Sequence, residues 1–282
     1  MSTTTTTTTT TPAAPATAAQ GQPEGPGLSF AGIVRSEWIK LRTLRSTWWS
    51  YSVVVAIALG MAAIMSLALV EQISVLPAAE QAQFVVMAST FGVFFGQLVL
   101  AVLGVLVVTG EYSTGMVKST LTAVPRRLPA LWAKAAVLFL ATLVVGAIAT
   151  IGSFLVVAAL LATHGITANL FDGAVIVPLL AGALYLALVA VFALGVGTML
   201  RSSAGGIAAT LGALLLLPIV LSMIPTAWAA DLVSYLISNA GAGMMASGAP
   251  AIMEPWQALL VVLGWVTVSL AGAAVLLKRR DA

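Results

Sequence analysis

Six stretches of this sequence, at about 48–70, 84–108, 135–162, 175–200, 204–224 and 256–277, each run for more than 20 residues without a charged side chain. About 20 consecutive apolar residues in a helix cover the ~30 Å hydrocarbon core of a bilayer. A backbone in lipid must satisfy its own hydrogen bonds, and a helix does so within one segment. Charged residues make up 7% of the chain and hydrophobic residues 60%. Ordinary soluble domains have roughly 25% and about 45–50%. A soluble enzyme of this composition would lack a polar skin. The sequence therefore predicts an all-α integral membrane protein with six transmembrane helices. The second and third runs are long enough to require tilt or protrusion. Pro178 falls near the start of the fourth run, and Pro218, inside the fifth, predicts a kink there.

The few charges are sorted by connection. With the N-terminus in the cytoplasm, all 12 Lys and Arg fall on the inner side: Arg35 to Arg45, Lys118 to Lys134, Arg201, and Lys278 to Arg280. Glu71, Glu80, Asp172, Asp231 and Glu254 fall outside with no basic residue beside them. This is the asymmetry of the positive-inside rule, and five or seven spans would break it. Both termini are expected in the cytoplasm. Trp48, Trp49 and Trp132 fall at the inner interface, and Trp228 and Trp256 at the outer one, as an aromatic belt requires.

Outside the spans, residues 1–28 hold nine consecutive threonines and a Pro/Ala/Gly/Gln stretch, with Glu24 as the one charge. They offer nothing large and apolar to bury and read as a disordered tail. They lack the basic and apolar regions of a secretory signal. Residues 29–46 read as an amphipathic helix in the membrane interface. Phe30, Ile33, Val34, Trp38, Leu41 and Leu44 form its apolar stripe, Arg35, Lys40 and Arg42 lie off it, and Glu37 breaks into it. In the inner connection, 109–134, residues 112–123 can form a short helix that Val124-Pro125 ends. In the outer connection, 225–255, Leu232 to Met245 has the composition for short helices that dip into the membrane without crossing.

Familiar chemical motifs fail on inspection. Gly110 and Gly115 have the spacing of a phosphate-binding loop, but Met116 stands where its lysine belongs and Lys118 comes two positions late. There is no Gly-Lys dipeptide anywhere, hence no P-loop and no ATPase motif. There are no cysteines and one histidine, His164, in a short outer loop. That excludes thiolate clusters and multi-histidine metal sites within one chain. The span interiors hold no Asp, Glu or His, so neither intramembrane hydrolysis nor a carboxylate proton relay is expected. Arg201 ends the fourth span and reads as a topology anchor. Gly92 and Gly96 form a small-xxx-small pair able to bring two helices close, with a subunit interface as one reading.

The inner connection reads as a solvated connector or as a docking element. Glu111-Tyr112-Ser113-Thr114-Gly115-Met116, then Val124-Pro125-Arg126-Arg127 and Lys134, resembles the first cytoplasmic loop of ABC-2 type transporter permeases. That family has a Glu-aromatic-x-x-Gly-Thr pattern there, and Met116 replaces its Thr. Arg35-Ser36-Glu37-Trp38-Ile39-Lys40-Leu41-Arg42 resembles the family's interfacial connecting helix, and Tyr235 to Gly243 its re-entrant region. The resemblance runs in order over residues 30–280.

The resemblance implies a half-transporter in the cell membrane, and an exporter. Such a subunit pairs with a second six-span subunit, here as a homodimer, and two separate ATP-binding subunits dock below. ATP and magnesium belong to those partners, and this chain holds no cofactor, metal or nucleic acid. The implied ATPase-coupling residues are Glu111, Tyr112, Gly115, Met116, Lys118, Arg126 and Arg127, with Glu37, Trp38 and Lys40 of the connecting helix. For Glu37, a local pair with Lys40 at i+3 is an equal reading. The alternatives are a membrane scaffold or assembly protein without transport, and a secondary transporter. The last predicts repeat symmetry and midplane charges, which this sequence lacks.

Overall fold

The computed structural model describes residues 29–113, 127–246 and 253–279. The expected tail at 1–28 and the body of the expected coupling helix lie outside them. Among the described residues the fold is all-helical. Six helices are long and apolar enough to cross a membrane, the architecture of a multi-pass membrane protein.

Helix α1 spans Phe30–Thr43 and α2 Arg45–Ser74, with Leu44 extended between them. The Ser29 hydroxyl caps α1 by accepting from the Gly32 N–H at 3.1 Å. Helix α3 spans Ala78–Ser113, α4 Arg127–Ala162 and α5 Gly173–Leu200. The fifth crossing, Ser203–Ser222, has three parts: α6 (Ser203–Leu211), a π-helical turn (Gly212–Leu216) and α7 (Leu217–Ser222). Short helices α8 (Ala227–Ser234) and α9 (Ile237–Met244) precede α10 (Pro255–Arg279). The long crossings overrun the apolar runs by a few residues, because a helix continues into polar flanks until a cap or turn stops it. The break expected at Pro218 is realised just before it. Proline lacks an N–H and crowds the preceding turn. The ladder widens to absorb this, and the Leu217 N–H reaches back to the Gly212 carbonyl.

Helix α5 is the axis. It is apolar on every face, as a helix enclosed by others must be, and Tyr185 through Thr198 is buried without interruption. Helices α3, α4 and α10 pack around it, and α2 lies across α3 and α4. The Ser203–Ser222 crossing is the least enclosed of the six.

Small residues let these helices approach, since lipid supplies no hydrophobic drive between them. Gly104 faces the Ala190 carbonyl, and a Cβ on Gly92 would sit 2.5 Å from the Ala58 Cα. The Gly92/Gly96 pair thus packs on Ala58 and Val54 of α2 in the same chain. That corrects the reading of a subunit interface there. Five buried hydroxyls bond locally: Ser66, Ser89, Thr109, Thr150 and Thr198 each donate to the carbonyl four residues back, whereas those of Thr47 and Ser153 have no partner among the described residues.

Antiparallel order gathers like charges. The starts of α2, α4 and α6 and the ends of α3, α5 and α10 share one end, with Arg45, Lys134, Arg201, Lys278 and Arg279. Glu71, Glu80, Asp172 and Glu254 lie at the other. Trp48, Trp49 and Trp132 are exposed at the basic end, and Trp228 and Trp256 at the acidic one.

Candidate functional site

Helix α1 presents Ile33, Glu37 and Leu41, four residues apart, as its buried face. Ile33 packs with Ala133 at the start of α4. The apolar stripe read from the sequence is therefore divided: Phe30, Trp38 and Leu44 are exposed, while Glu37 lies in the middle of the packed face, 3% exposed.

A carboxylate so placed needs compensating cations. Lys134, two turns into α4, donates to Glu37 Oε2 at 2.5 Å, and Lys40 donates to Glu37 Oε1 at 2.7 Å. Glu111, near the end of α3, closes the set. Its Oε1 lies 2.8 Å from Lys134 Nζ and 3.1 Å from Lys40 Nζ. Each carboxylate bridges both lysines, so the formal charges of the four groups cancel. Burial of isolated charges costs several kcal/mol each, on the order of magnitude that only close pairing and hydrogen bonding offset.

Lys40 is the most open member. Burial works against its charge, but the hydrogen bond it donates to Glu37 and the charge of Glu111 outweigh it and hold its pKa above the ordinary lysine value of 10.5. With the folded pKa raised, the stabilisation is complete below pH 10.5 and is lost only as the pH climbs through the raised value. Lys40 therefore carries its charge at neutral pH. Beside it is a cavity of about 380 Å³, lined by Leu41, Leu44, Leu106, Val107 and the four charged residues.

The helix ends around the junction are tied as well. The Arg201 guanidinium stands 5.5 Å from the centroid of the Tyr112 ring, a cation–π distance. Arg201 adopts a left-handed backbone (φ 52°) at the end of α5, where its N–H bonds the Gly197 carbonyl. An arginine there carries strain of the kind glycine avoids. Ser203, opening α6, donates to Thr109 of α3 at 2.8 Å.

Of the residues named from the sequence, Glu37, Lys40 and Glu111 are brought together, and Tyr112 is held beside them by Arg201. Trp38 points away, 48% exposed. Arg127 opens α4. Gly115, Met116, Lys118 and Arg126 lie outside the described residues. Lys134, in the sequence a basic residue of the inner connection and part of the resemblance but not an implied coupling residue, joins them; its partner Glu37 is 97 positions away. Its one local sign was being the last cation before an uncharged run. Arg201 had been read as an anchor, and its contact with Tyr112 had no local sign. His164 lies exposed, its Nδ1 2.9 Å from the neighbouring Thr163 hydroxyl.

What the arrangement can do is mechanical. It fastens α1 to the end of α3 and the start of α4, the two helices that flank residues 114–126. Displacing any of the three would separate charges in a site of low polarity, so they are coupled. No family model matches this sequence, and no curated protein matches it.

Proposed function

We propose that this chain is the membrane-spanning permease subunit of an ABC-2 type transporter, an exporter of the cell membrane. It is driven by two copies of a separate ATP-binding subunit and pairs with a second copy of itself. The observation that carries the reading is the buried Glu37/Lys40/Glu111/Lys134 junction. It joins an amphipathic N-terminal helix to both helices that border a basic connection, as a joint receiving force from a partner below the membrane requires. The positive-inside rule puts the basic end, with the junction, in the cytoplasm.

On this reading the connection after α3, up to residue 123, forms the coupling helix, and Glu111, Tyr112, Gly115, Met116, Lys118, Arg126 and Arg127 meet the ATPase. Glu37, Trp38 and Lys40 belong to the connecting helix that moves with it. ATP closure pushes the connection, and the junction passes the displacement to α1, α3 and α4 together. Helices α8 and α9 are the re-entrant pair. Gly241 of α9 lies against the ring of Tyr185, near the middle of α5, which supports a dip from the acidic side. ATP and magnesium are held by the partner.

Purification from native membranes in mild detergent tests the reading. An ATP-binding protein is expected at about equal stoichiometry. A stable assembly that transports without one would overturn it.

A further inference from the structure

A second cavity, a cleft of about 850 Å³, lies on the opposite half of the molecule from the charge junction. It follows α3 from Glu80 to Gln97, about 25 Å at 1.5 Å per residue, and is closed on its far side by Tyr185 of α5 and by Ser238, Ala242 and Met245 in and beside α9. Its walls are apolar and aromatic, chiefly Phe91, Phe94, Met87 and Met245. Phe94 and Met87 are each about half exposed. The floor is polar and buried. Gln97 and Tyr185 are each 1% exposed, and the Tyr185 hydroxyl donates to Gln97 Oε1. Gln97 spends one amide hydrogen on the Phe94 carbonyl at 3.0 Å. Its second amide hydrogen has no partner among the described residues.

Charge selects what fits. Among the described residues that line the cleft, Glu80, at the mouth, is the only carboxylate, and there is no lysine, arginine or histidine. Glu80 is exposed and forms no ion pair among the described residues. The other charges at this end, Glu71, Asp172, Asp231 and Glu254, are acids too. An anion would meet uncompensated repulsion, while a cation is attracted to the mouth and then finds aromatic faces. The volume lies within the range that holds a drug-sized ligand.

We propose that this cleft binds amphipathic organic cations, with an ammonium-type head at Glu80 and the apolar body between Phe91, Phe94 and Met245. As a binding site it stands independently of the ATP-driven reading; only its role as a cargo site rests on that reading. The same ammonium chemistry is carried by a free lipophilic cation and by a phosphatidylethanolamine headgroup.

The test is equilibrium binding of rhodamine 6G, a fluorescent lipophilic cation, to the full chain in dodecyl maltoside, with empty micelles subtracted. Saturable binding is expected. Glu80→Gln should weaken it about two- to fivefold, since it removes one exposed ion pair. Phe94→Ala should weaken both this dye and an uncharged rhodamine analogue. The analogue should be indifferent to Glu80→Gln. Added phosphatidylethanolamine leaves the affinity unchanged if a free cation is the occupant, and competes if the lipid headgroup is. In both arms the Glu80→Gln effect remains. Wild-type affinity in Glu80→Gln, or no saturable binding by the correctly folded chain, overturns the proposal. Because no ATPase enters this assay, its failure leaves the transporter reading untouched.

Discussion

Of the four charges at the junction, Glu37 and Lys134 have the least access to water, so each depends most on the other. Lys134→Met takes from the enclosed Glu37 one of its two lysine partners and leaves it Lys40. Breaking a buried pair from one side costs about 3–5 kcal/mol, and thermal unfolding in detergent should register a loss of that order. Lys134→Met with Glu37→Gln should be milder, because no buried charge is then stranded. Glu111→Ala differs in kind. Glu37 still pairs with both lysines, so insertion and folding should persist while ATP-driven transport falls; normal transport by that variant would count against coupling through Glu111. At this scale the sequence was partly legible. Glu37 stood out as a carboxylate on an apolar stripe, and Lys40 was its visible partner at i+3. Lys134 and Glu111 were invisible as partners because their proximity depends on how α1 lies across two other helices.

The helices themselves were far more legible than the contacts between them. Run length and absence of charge locate a crossing whatever its neighbours do, and the six runs fall on the six long helices. Pro218 announced a disturbance, but its form, a π-helical turn one step earlier, depends on how the freed carbonyls are shared. Gly92 and Gly96 announced a close approach. A small-xxx-small pair says that two backbones meet, not which chain supplies the second, and here it is α2. The cleft along α3 had no sequence signature, since three separated segments build it. Close packing makes a direct prediction. Gly104→Ala drives a Cβ into the Ala190 carbonyl and should destabilise by about 1–3 kcal/mol, the usual cost of overpacking. Gly60 has nothing within 4 Å of its missing Cβ. Gly60→Ala should leave stability unchanged or raise it by up to about 1 kcal/mol through helix propensity. Unfolding of the two variants side by side checks this; equal behaviour would mean that α3 and α5 do not meet as described.

For the whole molecule, the net charge of +3 conceals two opposed ends, one basic and one acidic, separated by six uncharged crossings. The basic end carries the buried junction and the connection at 114–126, and the proposal places an ATP-binding partner there. The acidic end opens the cleft along α3. The absence of cysteine from the chain allows the central claim to be tested at single residues. Lys118→Cys, in the connection, and Glu254→Cys, at the opposite end, are each cross-linked in native membranes with a short thiol-to-amine reagent, and the adducts are identified by mass spectrometry. The account predicts that Lys118→Cys is joined to a protein with Walker motifs and that Glu254→Cys is not. An intact, membrane-inserted chain whose position 118 yields no such adduct, or whose position 254 yields it instead, would contradict the account.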